Sequence, residues 1–258
     1  MNTLLIFAID QLFSHVLHEP GLLQDVEAVY QGDPDPYRNF VVRMVIAIGL
    51  QKVDAAYSGL ADGYYLAAMQ HFEDVVRPKD LRTLQCLVLT GQYSFLTPTR
   101  SSAYYVVGLA TKICQRMGYT DEQTITTSGY GLNSLLIDLR RRVVWSVIAM
   151  EHDLAHSMGR PSGYATGHDL INVRFFATVS DECITEEGIH DGEDIHRKLM
   201  SIHMCKMSLL QAEISRTLYE KKSHEPKNDA HPWYREIEKK LTDWDEQSPN
   251  GPDWSKAW

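Results

Sequence analysis

The stretch LRRRVVWSVIAMEHDLAHSMGRP, residues 139–161, decides the fold. Its apolar residues Leu139, Val143, Val144, Val147, Ile148, Met150 and Leu154 fall at the three-to-four spacing of a helical stripe, which predicts one long buried helix. Trp145 adds an aromatic anchor, and Gly159 with Pro161 supplies the stop. Arg140, Arg141 and Arg142 point in three directions about 100° apart, so at least one of them meets protein rather than water. His152 and His156, four residues apart, share a face, and Glu151 or Asp153 could add a carboxylate. The run HDLAH nevertheless lacks the Glu that follows the first His of a zinc-protease helix, and no third ligand is identifiable, so no metal is expected.

Working outward, helical patterns dominate and strand alternation is scarce. Helices are expected over residues 4–17, 22–30, 40–56, 60–76, 79–95, 101–117, 194–221 and 232–247. Glu19-Pro20-Gly21 closes the first, Pro78 fits the opening turn of the fifth, and Gly118 is a left-handed cap after the sixth. Residues 120–133 and 162–189 read as loops, the second carrying an acidic, exposed DECITEEG. Short connections between helices of similar length argue for antiparallel packing. The expectation is an all-α chain of antiparallel helix pairs stacked into a single helical domain over 1–258, with an irregular tail at 248–258 that carries Trp254 and Trp258.

The composition is that of a soluble globular protein: 44% hydrophobic and 23% charged over 258 residues, with a net charge of −9. An acidic chain without a basic stripe is a poor ligand for phosphates, so no direct nucleic-acid binding is expected. The basic runs, Arg140–Arg142, Lys221-Lys222 and Lys239-Lys240, suit helix-face ion pairs better than a DNA footprint. Cys86, Cys114, Cys183 and Cys205 lie far apart without a C-x-x-C pair, and the first two sit in apolar helical patterns as small buried hydrophobes. The opening apolar run has no basic start, is interrupted by Asp10 and lacks a cleavage site, so it reads as a helix rather than a leader. No run reaches the roughly 18–20 apolar residues of a membrane span, and a soluble, intracellular protein is expected.

The block at 139–161 resembles the signature of the fungal transcription-factor regulatory domain, the middle homology region downstream of a zinc-cluster DNA-binding module. In that family an Arg-Arg-x-x-Trp run leads through an Asp-Arg pair to a Gly-Arg-Pro turn. Arg141, Arg142, Trp145, Gly159, Arg160 and Pro161 stand in the matching places. The segments 36–51, 57–97 and 103–119 follow the family pattern in order, and HEPGLL (18–23) and QAEISRTLYEK (211–221) are similar to it as well. The chain departs from the pattern in three ways. The closely spaced six-cysteine cluster is absent, Glu151-His152 replaces Asp-Arg, and Leu170-Ile171-Asn172-Val173 replaces an acidic exit after the turn.

The resemblance implies a nuclear regulatory domain that senses a small molecule or a partner and controls a separate activation or DNA-binding segment. A homodimer and a small-molecule ligand are expected partners, and no cofactor. Arg142, Trp145, Glu151, His152 and Arg160 form the candidate ligand-binding set, gathered at one end of the helix with Arg142 or Arg160 holding Glu151. A second reading takes the chain as complete from Met1. It makes the domain a cytoplasmic, cofactor-free enzyme of secondary metabolism that dehydrates or cyclises a reactive polyketide or terpenoid, with His152, Arg142, Tyr64 and Tyr104 converging in an apolar pocket. Tyr65, Tyr93 and Tyr105 add further hydroxyls; of His190, His196 and His203, the last two share a helix face that could equally face solvent.

Overall fold

The computed structural model describes residues 15–127, 132–164, 171–220, 226, 228 and 230–249. Those residues form an all-α fold. Its α-helices are α1 (Glu19–Tyr30), α2 (Pro36–Val53), α3 (Ser58–Met69), α4 (Phe72–Val76), α5 (Leu81–Leu96), α6 (Ala103–Arg116), α7 (Glu122–Thr127), α8 (Ser134–Ser157), α9 (His196–Ser215) and α10 (Pro232–Glu246). Among the described residues, β structure is limited to three isolated bridges. Most of the helix expected at 4–17 lies outside the described residues, as do Leu170, Lys221-Lys222, Trp254 and Trp258.

Two helices, α2 and α5, are buried on nearly all sides, and α2 accordingly lacks a clean amphipathic stripe. In α2, the run from Phe40 to Val42 and Met44, Val45, Ala47 and Ile48 are inaccessible, and Asp35 caps the first turn by accepting from the Tyr37 N–H at 2.8 Å. In α5 the polar residues of the core are bonded locally or across: Thr83 Oγ1 donates to the Val75 carbonyl at 2.7 Å, and Gln85 Nε2 donates to the Val16 carbonyl at 2.7 Å. The third central element, α8, packs on α5, α6, α7 and α9, while α2 packs on α1, α3, α4 and α5. One continuous core joins Val16, α2, α5, α6 and α8 to Phe176 and Cys205.

Several boundaries differ from the sequence expectation, each for a local reason. Glu19-Pro20 opens α1 instead of closing a helix, because proline is tolerated where the first-turn N–H has no partner anyway. The stretch 60–76 breaks at Gln70-His71 into α3 and α4. Pro78 lies outside α5, which starts at Leu81 because Asp80 caps the Thr83 N–H at 2.9 Å and Lys79 turns through φ 57°. The loop expected at 120–133 contains α7, whose first residue donates its N–H to the Asn172 carbonyl at 2.8 Å. At the far end of α6, Gly118 adopts φ 69° as expected of a left-handed cap.

Candidate functional site

The central helix α8 begins at an Asn133 cap, whose side chain accepts from the Leu136 N–H at 2.8 Å, and ends before Gly159 at φ 59°. Each of its three arginines finds a partner. Arg140 donates to the Ile125 carbonyl at 2.9 Å and lies over the Tyr119 ring, and Arg141 pairs with Glu122. Arg142 is 1% exposed and pairs with Asp138, one turn earlier, at 2.6 Å and with Asp181 at 2.7 Å. Lys198 of α9 joins Asp181 at 2.6 Å.

This buried four-charge cluster is hydrogen-bonded throughout, as buried charges must be. Arg142 also donates to the His15 and Leu17 carbonyls at 3.3 and 3.2 Å. Asp138 accepts from the Ala177 N–H at 2.7 Å, and Asp181 accepts from the Glu19 N–H at 2.8 Å. The cluster therefore staples α8 to the strap before α1, to the irregular segment around 174–181 and to α9. Burial alone would raise the Asp181 pKa, but the Arg142 hydrogen bond and the charges of Arg142 and Lys198 outweigh it and hold the carboxyl well below the usual range. Asp181 opens the DECITEEG segment expected to be exposed; it is buried instead, because it is the counter-ion for two cations.

The expected candidate set does not assemble. Among the described residues no arginine holds Glu151: it accepts from the Ser162 hydroxyl and the Gly163 N–H, each at 2.5 Å, because the chain folds back over it after the Gly-Arg-Pro turn. Arg160 lies over the Tyr104 ring at 5.2 Å. Arg142 lies ten residues from His152, roughly 15 Å along the helix axis. His152 is 4% exposed, edge-on to Tyr164. Burial and then the Arg216 charge push its pKa down to about 4, and a Ser208 backbone contact opposes them only in part. Tyr64 is half-buried on α3, which packs against α2, and Tyr104 is exposed on α6. The convergence that the enzymatic reading needs is therefore missing. Tyr93 is buried, stacks on Tyr65 at 4.4 Å and donates its hydroxyl to Asp62 at 2.7 Å, so it is core with a satisfied polar tip. His203 is buried rather than solvent-facing, stacked on Trp244 at 4.1 Å.

Of the five candidate ligand-binding residues, Trp145 borders a cavity. It stacks on Phe175 at 4.4 Å and donates its indole N–H to the Arg174 carbonyl at 3.0 Å. The cavity, of about 360 Å³, lies between α2, α5, α8 and α9. Trp145, Ala149, Met150 and Asp153 form its α8 wall, Met204 and Met207 face them from α9, and Phe95 closes the α5 side. His15 and Phe176 form the inner end, edge-on to one another at 6.5 Å between ring centres, next to the charge cluster. Phe95, Leu96 and Met204 are each more than two-fifths exposed at the mouth. Burial pushes the His15 pKa down to about 4, so that wall is neutral at pH 7. Among the described residues no group of His, Cys, Asp and Glu is arranged to hold a metal ion, and no helix is long and apolar enough to cross a membrane.

The sequence reading missed Asp138, Asp181, Lys198 and His15. Asp138 was legible, since an acid four residues before Arg142 shares its helix face. The others come from distant segments and carry no local signal.

The described residues thus form an all-helical domain whose stapled central helix lies beside an apolar, open-mouthed cavity. The family model described as the fungal specific transcription factor domain matches residues 6–246, and the chain belongs to that family. It is similar to the negative regulator of pleiotropic drug resistance STB5 of Candida glabrata, 29% identical over 54% of this chain and 14% of that protein. Protein STB5 of Saccharomyces cerevisiae is 30% identical over 57% of the chain and 21% of its own length. An ABC-transporter-regulating transcription factor of Aspergillus fumigatus is 23% identical over 90% of the chain and 26% of its own length. The chain thus spans about a quarter or less of the length of these relatives. No solved structure matches.

Proposed function

We propose that this chain is the regulatory domain of a fungal transcription factor acting in the nucleus, and that the cavity beside α8 receives the small molecule to which the factor responds. The carrying observation is that cavity: an apolar space of about 360 Å³ walled by the helix that bears the family's most recognisable residues. Its size and lining are those of small-molecule sites. Two of the relatives are named for pleiotropic drug resistance and for regulating an ABC transporter, which suits a drug-like, apolar effector. The inner end supplies a route to the rest of the molecule, since the His15 carbonyl is bonded to Arg142 and Phe176 lies one residue from Ala177, whose N–H Asp138 holds.

The test is to tether the chain to a heterologous DNA-binding module upstream of a reporter gene, and to expose cells to a panel of apolar compounds. Ala149 lines the cavity, so Ala149→Phe fills it from the α8 side. The expected result is a compound-dependent change in reporter output that Ala149→Phe removes while the purified variant melts as the parent does. A response that is the same in parent and filled variant would show that the cavity is not the effector site.

A further inference from the structure

Resting on the reading of this cavity as the effector site, we infer that it selects lipophilic cations: molecules with an apolar body and one amine or quaternary ammonium, the charge held by Asp153 at the rim. Asp153 continues the α8 stripe of Ser146, Ala149 and Met150, so its carboxylate borders the same space as the apolar wall. Among the described residues it forms no ion pair with a lysine or arginine. Its electrostatic neighbour is His156, one turn along the helix, whose Nδ1 already meets Ser215 Oγ at 3.2 Å. Burial raises the Asp153 pKa, the signature of a carboxylate that would gain from an incoming positive charge.

The other charged group bordering the cavity does not reverse this preference. Lys52, on α2, is already engaged within the protein, and burial disfavours its charged form. His15 at the inner end is neutral at pH 7. The remaining walls suit a cation with an apolar body. Trp145, Phe95 and Phe176 present aromatic rings, which attract cations electrostatically as well as burying hydrocarbon. Met150, Met204 and Met207 are unbranched and polarizable, so they re-pack around bodies of differing shape. Charge is therefore the selective feature and shape the tolerant one.

The experiment compares three probes that share a 1-naphthylmethyl body on the full chain: (1-naphthylmethyl)trimethylammonium, its neutral isostere 1-(2,2-dimethylpropyl)naphthalene and the anion 1-naphthylacetate, with affinity read by titration calorimetry. The parent should bind the cation about tenfold more tightly than the neutral probe, and the anion most weakly. Asp153→Asn should erase the cation's advantage and leave the neutral probe's affinity unchanged. Met204→Glu, which adds a second acid at the exposed mouth, should widen the advantage; it keeps the question decidable if Asp153→Asn folds poorly. A cation advantage that survives Asp153→Asn, or an anion bound as tightly as the cation, would overturn the inference while leaving the cavity an effector site. Failure of all three probes to bind the parent would instead overturn the effector-site reading beneath it.

Discussion

One guanidinium makes five hydrogen bonds: Arg142 reaches Asp138, both oxygens of Asp181, and the His15 and Leu17 carbonyls. Truncating it leaves Asp138 buried without a cation and Asp181 with Lys198 alone, so Arg142→Ala should cost about 3–5 kcal/mol in urea unfolding. Arg142→Lys should recover little of that, since an ammonium cannot span two carboxylates in the planar fork. The titrating residues predict two separate acid limbs. His152 has a folded pKa of about 4, below the 6.5 of an ordinary histidine, so the unfolded chain binds its proton first. Stability should therefore fall as pH drops from about 6.5 to 4, by roughly 2 kcal/mol from this group. Asp181 is depressed in its folded state, so its contribution is complete above the ordinary carboxyl pKa of about 3.9 and is lost only at lower pH. His15, likewise held near 4, adds to the same upper limb, so His152→Phe should shrink that limb without abolishing it and spare the lower, and Asp181→Asn the reverse, as read by melts across pH. Because His152 is not among the cavity-lining residues, the variant should bind the naphthalene probes as the parent does; loss of binding at an unchanged melting temperature would contradict that placement.

At the scale of the element, α8 was the most legible part of the chain. Val143, Trp145, Val147 and Ile148 are buried as the stripe predicts, though Leu154 is only partly so and the helix starts earlier, at the Asn133 cap. Apart from α7, which lies where a loop was expected, and the break of 60–76 into α3 and α4, the types and order of the other described helices were legible from periodicity, whereas their ends followed single caps such as Asp80 and Asp35 that the apolar pattern does not register. The cavity was not legible, because its walls come from four helices and an irregular segment, and a void leaves no mark on any one of them. Trp145→Ala should enlarge it and cost roughly 3–5 kcal/mol, the range for removing a buried large aromatic. Gly91 on α5 makes a sharper probe. A Cβ there would meet the Met150 Cε at 2.7 Å, and Met150 is a cavity wall. The flexible end of the methionine can give way, and alanine favours the helix by up to about 1 kcal/mol, so Gly91→Ala should leave stability nearly unchanged. Met150 should move into the cavity and weaken binding of all three probes alike. Unchanged binding would place the displaced side chain elsewhere.

Across the whole molecule, the net charge of −9 and the engagement of Arg140, Arg141 and Arg142 inside the protein leave no basic stripe for a duplex among the described residues. The chain by itself should show no tight, salt-sensitive shift of a DNA fragment, and such a shift would contradict this account. Under the proposed function, a ligand in the cavity has to be felt elsewhere in the protein, and the fold supplies one physical route. His15 borders the cavity, its carbonyl and that of Leu17 are held by Arg142, and Val16 between them is buried with its carbonyl bonded to Gln85. A ligand that orders the inner end should restrain this strap more than the helices remote from it. Binding at about a hundred times the dissociation constant stabilises the folded state by about 2.7 kcal/mol overall, but the local effect need not be uniform. Hydrogen exchange with and without a bound probe should slow most at residues 15–18, around 174–181 and along α9, and little in α3, which contributes no residue to the cavity lining. Arg142→Lys should uncouple the two, so that the probe still binds but the strap's exchange no longer responds. Uniform slowing across α3 and the strap would mean that the ligand merely stabilises the fold, and that the message leaves by another path.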